Sequence, residues 1–344
     1  MLVALDFETT GLEMWSPKHS VTSIAIAWGD VYIQSEYANT PENIDLILKH
    51  LHDTQHPVVV YNVGFELMVL KCKFPQYSLN ILWDCMRLVQ NYDNRPQIMS
   101  YGLKDAAKRI LSEEDASWET EAHAYLAANK MKKSELSRLP PDILRRYNIG
   151  DAVATLKLTH LILDYFFGIG FDPRIDHVKY LSTAKEVVDS QIRGIRVDRE
   201  GIKKYLEAIK EELAENEEEF KTTLQAEIGE VERIITEKEQ ARFKKKIVSH
   251  VPFNIDSNLH REILFTKVMG LPTLYTTPKG KPSLKKAHLK QFGEAAAKLD
   301  KRKNRQIIMA QLENLLELSE EDGRWHVSLK LAGTSTGRFA GGNQ

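Results

Sequence analysis

The sequence predicts an α/β domain followed by a mainly α-helical one, and three observations carry that prediction. Five short apolar runs, at 2–5, 21–28, 31–35, 58–61 and 79–82, read as strands. The first three follow one another as a meander, and afterwards strands alternate with helical patterns. That order points to a mixed five-stranded sheet flanked by helices. Beyond the punctuation Gly168-Ile169-Gly170-Phe171-Asp172-Pro173 the periodicity is almost wholly helical. The expected domains are 1–170 and 171–344, which suits a chain of 344 residues.

Taken in order, Leu2-Val3-Ala4-Leu5 is a central strand, ending in a turn that contains Gly11. Residues 21–28 and 31–35 form a hairpin joined at Gly29-Asp30. Pro41-Glu42 opens a helix with apolar Ile44, Leu46, Ile47, Leu48 and Leu51. Strand 58–61 leads to a helix at 65–71, and strand 79–82 leads through Asp84 into another. Asp84 reads as a helix N-cap in preference to a further site acid. Residues 101–111 put Leu103, Ala106, Ala107, Ile110 and Leu111 on one helical face. Residues 118–133 read as a solvent-facing return helix. Pro140-Pro141 opens a helix that ends near Phe167-Gly168. In the second half, 175–192 is helical, 194–198 is a turn and short strand, and 199–228 is one long, charged helix. A helix ends near Met269-Gly270, a basic turn spans 276–283, a helix spans 294–318, and 324–331 is a strand.

Composition excludes several classes. Lys and Arg number 47 against 48 Asp and Glu, for a net charge of −1. Nucleic-acid contact must therefore come from local patches. Cys72 and Cys85 lack metal-ligand spacing and read as reduced thiols of a cytoplasmic protein. No apolar run has the length of a membrane span. Met1 leads straight into a strand, so no signal peptide is expected.

The chemistry sits in three stretches. In Asp6-Phe7-Glu8 strand alternation points both acids the same way and Phe7 the other. Two neighbouring buried carboxylates cost several kcal/mol of effective penalty per ion unless cations compensate, and Mg²⁺ prefers such oxygens. Alone, the pattern fits equally a strand that runs into solvent. Asn62-Val63-Gly64-Phe65-Glu66 then follows a second β-branched strand. Tyr147 and Asp151, four apart, share a helix face.

Acid-X-acid, Asn-X-X-Phe-acid and Tyr-X-X-X-Asp, in that order, resemble the three motifs of the DEDDy 3′–5′ exonucleases. The resemblance is nearest to the proofreading domain of family A DNA polymerases, and it covers the first half of the chain. Position 146 is Arg, which separates the pattern from the DEDDh branch with its His five residues before the last acid. The middle motif departs from the usual Asp by ending in Glu66, which keeps the charge and adds a methylene. The resemblance implies a ribonuclease-H-like fold.

The second half also resembles that family. Residues 194–198, Phe253-Asn254-Ile255-Asp256-Ser257 and the turn 277–283 resemble its thumb. Thr336-Gly337-Arg338-Phe339 resembles the first polymerase motif, whose Arg touches primer–template. Palm and fingers are expected beyond Gln344. The chain would then be a fragment, or one half of a polymerase encoded in two pieces with a separate palm-and-fingers subunit. With no 5′-nuclease domain before Met1, it looks more like a phage-type enzyme, acting in the host cytoplasm.

The resemblance implies two Mg²⁺ or Mn²⁺ ions. Asp6 would bridge them, Glu8 and Asp151 would complete the water-side ion, and Glu66 would support the other through water. Tyr147 would orient the attacking water; core packing is the competing role for that side chain. Thr9, Leu12, Asn62 and Phe65 would meet the single-stranded 3′ end, although packing serves Phe65 equally well. Lys279, Lys281, Lys301, Lys303 and Arg338 would contact primer–template DNA; solvated surface is the commoner fate of such Lys runs. Two other functions fit the same residues: an RNase D-like exoribonuclease, and a catalytically silent DNA-binding half of a split polymerase.

Overall fold

The computed structural model describes residues 1–95, 98, 100–112, 116–242, 248–280, 282–284, 288, 292–331 and 340–341. Two compact units divide the chain. The first is Met1–Ile195 with His326–Gln344, and the second is Arg196–Trp325. The punctuation at 168–173 lies inside the first unit.

The first unit is built on a five-stranded sheet. Its strands are β1 (Val3–Thr9), β2 (Val21–Trp28), β3 (Gln34–Ala38), β4 (Val58–Val60) and β5 (Ile81–Asp84), in the order β3-β2-β1-β4-β5. β1 pairs antiparallel with β2, and β2 with β3, while β4 runs parallel to β1 and β5 to β4. This is the mixed sheet of the ribonuclease-H-like fold. Alternation sends Val3, Leu5 and Phe7 into one core with α1 (Pro41–Thr54), α2 (Val63–Lys73) and α7 (Arg174–Arg193). Ala4, Ala25 and Ala27 enter the other core with α3 (Cys85–Tyr92), α4 (Leu103–Ile110) and α6 (Pro141–Gly168). Three small side chains on that face let the 28-residue α6 lie close across β1 and β2. α5 (Thr120–Ala128) and a 3₁₀ helix at Lys133–Arg138 precede α6.

Several expectations needed correction. The third strand begins at Gln34 and ends at Ala38, not 31–35. Gly29 adopts φ 107°, where a Cβ would sit 2.3 Å from the Tyr32 carbonyl oxygen. The loop so turned leaves Val31 85% and Tyr32 87% exposed, so apolar character there did not mean strand. The return helix is not solvent-facing throughout. It divides into a 3₁₀ turn, Ser117–Glu119, and α5, which buries Ala122 and Leu126. The long charged helix breaks at Leu224, between α8 (Arg199–Thr223) and α9 (Gln225–Arg242). Phe220, Leu224 and Ile228 all enter one core, so apolar periodicity runs through the break with no Gly or Pro to mark it. Residues 324–331 form two short strands, Arg324–Trp325 and Leu329–Lys330, not one.

Among the described residues the second unit also carries α10 (Asn258–Glu262), continued by a π-helical turn at Ile263–Val268, and α11 (Gly293–Leu318). Ser257 caps α10 by accepting from the His260 N–H. Phe253, Ile255, Phe265, Phe292 and Leu299 join the same core as α8 and α9. No helix among the described residues is long and apolar enough to cross a membrane.

Candidate metal centre

β1 delivers Asp6 and Glu8 to the α6 side of the sheet, and α6 brings Asp151 over them. One carboxylate oxygen of each lies within 4.8 Å of the others. Three acids from two elements, 143 residues apart at the closest, thus meet at one point.

α6 is fastened there by Asn148, which is fully buried. Its amide N–H donates to Asp6 Oδ2 at 2.6 Å and to the Asp6 carbonyl at 3.3 Å. Its own oxygen accepts from the Ser23 hydroxyl at 2.9 Å. One turn on, both oxygens of Asp151 are engaged. Trp118 Nε1–H donates to Oδ1 at 2.6 Å, and Lys104 Nζ donates to Oδ2 at 3.3 Å. Gly150 makes room for the tryptophan: a Cβ there would fall 2.2 Å from the indole ring. The Lys104 ammonium also donates to the Tyr147 hydroxyl, lies 4.2 Å from that ring's centroid, and is 4.0 Å from Glu119.

Glu66 comes from the first turn of α2 and is 1% exposed. Its Oε2 is buried without a hydrogen-bond partner. Asp84 caps α3, as the sequence reading expects, and it also sets the start of α2. The Asp84 carboxylate accepts from the Met86 N–H of α3 and also from the N–H groups of Asn62 and Val63. Tyr180 donates to it as well. Asn62 itself takes φ 70°, a left-handed conformation that Asn tolerates better than most residues. Asp84 is spent on these contacts and lies outside the acidic trio.

The centre is short of positive charge. Burial raises Asp6 well above the usual carboxylate range, and the charges of Asp151, Glu8 and Glu66 raise it further. Burial and then Asp151 push Glu8 up to about 8. Burial and Glu8 raise Glu66, with the Phe7 backbone N–H partly offsetting them. Asp151 is raised by burial against the opposing pull of Lys104 and Trp118. Burial and the same acids also raise Tyr147, so its hydroxyl stays protonated. Like charges held in a dry site disfavour ionisation, and a hard divalent cation relieves that strain with carboxylate ligands. The all-oxygen donor set and the unpartnered Glu66 Oε2 both fit Mg²⁺ or Mn²⁺.

The other residues expected to bind DNA are dispersed. Leu12 is 71% exposed. Thr9 donates to the Gly11 carbonyl, Asn62 is exposed, and Phe65 packs half-buried on the core. Lys279 is exposed in a turn bracketed by the Thr276–Pro282 bridge. Lys301 is exposed and pairs with Glu212 at 3.3 Å, and Lys303 is exposed. Lys281 and Arg338 lie outside the described residues. Neighbouring Arg302 turns inward to the Leu213 carbonyl, Glu217 and Asp256.

Sequence reasoning missed Asn148, Lys104, Trp118 and Glu119. Asn148 had a signal, sitting three residues before Asp151 on the same helical face. The other three had none, because their segments meet α6 only through the fold.

Comparison with known proteins agrees with this architecture. The RNase_H superfamily model matches residues 3–163, just under half of the chain. No curated protein matches. Among solved structures, the chain is similar to the POL domain of Pol1 from M. smegmatis, in complex with DNA primer-template and dNTP. The TM-score is 0.60 at 18% identity, over 98% of this chain and 50% of that one. The chain thus spans half of that polymerase domain, and the likeness is one of fold. The first unit has the RNase H-like fold, with an acidic cluster on its central strand that fits a nuclease.

Proposed function

We propose that this chain is a 3′–5′ exonuclease that releases 5′-mononucleotides from DNA 3′ ends, the proofreading part of a family A polymerase. The observation that carries the reading is the convergence of Asp6, Glu8 and Asp151 beside the Tyr147 hydroxyl. Asp6, Glu8, Asp151 and Glu66 would hold two Mg²⁺ or Mn²⁺ ions. Such ions, when bound, supply an activated water and a stabilised leaving 3′-oxygen. Asn148 keeps the Asp6 carboxylate aimed by occupying Oδ2 from the α6 side. Tyr147, held as a neutral hydroxyl, acts by orienting water and not as a base. The exposed Leu12 side chain would offer an apolar wedge for the terminal base, and Thr9, Asn62 and Phe65 would contact the same strand.

DNA is favoured over RNA because the alignment to a primer–template-bound polymerase runs through the second unit as well as the first. In that setting Lys279, Lys281, Lys303 and Arg338 would meet duplex phosphates.

The test uses 5′-labelled single-stranded DNA and RNA of one sequence in Mg²⁺. A ladder shortening from the 3′ end, with DNA degraded faster and Asp6→Ala inactive, is the expected result. Cleavage of circular single strands, faster RNA degradation, or more than about a tenth of the rate in Asp6→Ala would refute it.

A further inference from the structure

Lys104 stands out because it is the one ammonium within 4 Å of the carboxylate centre among the described residues. Its side chain is 16% exposed and that of Asp151 is 9% exposed, so the pair is largely withdrawn from water. It holds Asp151 Oδ2 at 3.3 Å, so a positive charge already sits on one of the acids that would hold a divalent cation. The other oxygen, Oδ1, belongs to Trp118. Both oxygens of Asp151 therefore already carry a donor.

The surroundings allow an exchange. An ammonium on a four-carbon stem carries three rotatable donors and reorients easily. Glu119 already lies 4.0 Å from Nζ and offers a second acceptor. The Tyr147 ring and hydroxyl keep the ammonium beside the centre whichever acid it faces. Trp118 stays on Oδ1 throughout and fixes the Asp151 rotamer.

We propose that Lys104 is the resident counter-charge of this centre: without metal its ammonium holds Asp151 and Tyr147 in place, and it yields Asp151 Oδ2 when the divalent cation binds. The inference rests on the metal-nuclease reading above. It makes Lys104 a positioning residue whose charge competes with the metal. Two unlike consequences follow from one substitution. Removing the charge destabilises the metal-free protein, because Asp6, Glu8 and Asp151 lose the cation they face, yet it strengthens metal binding, because the competitor is gone.

The experiment measures Mn²⁺ binding by calorimetry and thermal stability in EDTA for the full chain, Lys104→Met, Lys104→Arg and Asp6→Asn. Lys104→Met should bind Mn²⁺ at least about tenfold tighter and melt lower in EDTA. Lys104→Arg should restore both values. Unchanged or weaker Mn²⁺ binding by Lys104→Met, or an unchanged melting temperature in EDTA, would overturn the proposal. Wild-type protein that binds no Mn²⁺, or binding that survives in Asp6→Asn, would instead overturn the metal-centre reading beneath it. A measurement on wild type alone covers the case in which Lys104→Met does not fold. Acylation of Lys104, followed by peptide mass spectrometry, should change rate when Mn²⁺ is added, and equal rates would refute the exchange.

Discussion

Acidifying the metal-free protein should stabilise it, against the usual behaviour of a domain rich in paired acids. The folded state raises Glu8 from its ordinary value of 4.5 to about 8. Between those values the native protein holds a proton that the unfolded chain has released. Stability therefore rises as pH falls through 8, and the gain is complete below about 4.5. Between pH 9 and pH 6 the single group contributes about 2 units' worth of one proton, about 2.7 kcal/mol. For a chain of this length that corresponds to roughly 4 °C in melting temperature. Asp6, Glu66 and Asp151 are shifted in the same direction and add to the trend. The assay is thermal denaturation by circular dichroism in EDTA, at steps from pH 9 to 6, on wild type and Glu8→Gln. The wild-type rise should exceed that of Glu8→Gln. Saturating Mg²⁺ should reverse the slope, because the metal needs deprotonated ligands. A wild-type curve in EDTA that falls on acidification, or one parallel to Glu8→Gln, would refute the crowded-carboxylate account.

Other consequences are equally direct. Asn148→Ala should cost about 2–3 kcal/mol, because it strands the Ser23 hydroxyl and loses a charge-assisted bond, and should cut nuclease rate even where the fold survives; chemical denaturation and oligonucleotide cleavage read the two effects. Tyr147→Phe removes the hydroxyl that would orient water, so cleavage should fall by up to about 10²–10⁴ in an oligonucleotide assay. Arg302→Met should destabilise by about 2 kcal/mol or more, short of the 3–5 of a fully buried pair, since Asp256 and Glu217 remain part exposed. Lys279→Ala with Lys303→Ala should shallow the salt slope of primer–template binding by about 1.8, leaving single-strand cleavage intact.

Much of the architecture was legible in the residues themselves. Alternation along Val3–Thr9 already put Asp6 and Glu8 on one side and Phe7 on the other, because strand geometry allows nothing else. Tyr147 and Asp151 shared a face by helical spacing alone, and Asp84 announced itself as a cap by its place between strand and helix. What sequence could not decide was which distant side chains would complete the site. Lys104 and Trp118 come from segments 47 and 33 residues from Asp151, and nothing local in either marks it as a partner of an acid. Gly150 reads as a weak spot in a helix until the Trp118 ring lies against it. Basic residues on α11 formed one run in the sequence, yet Arg302 turned inward to Glu217 and Asp256 while Lys303 stayed in water. A charge run sets how many cations an element carries. The packing of α11 against α8 decides which of them pair, because only the fold brings the opposing carboxylates within reach.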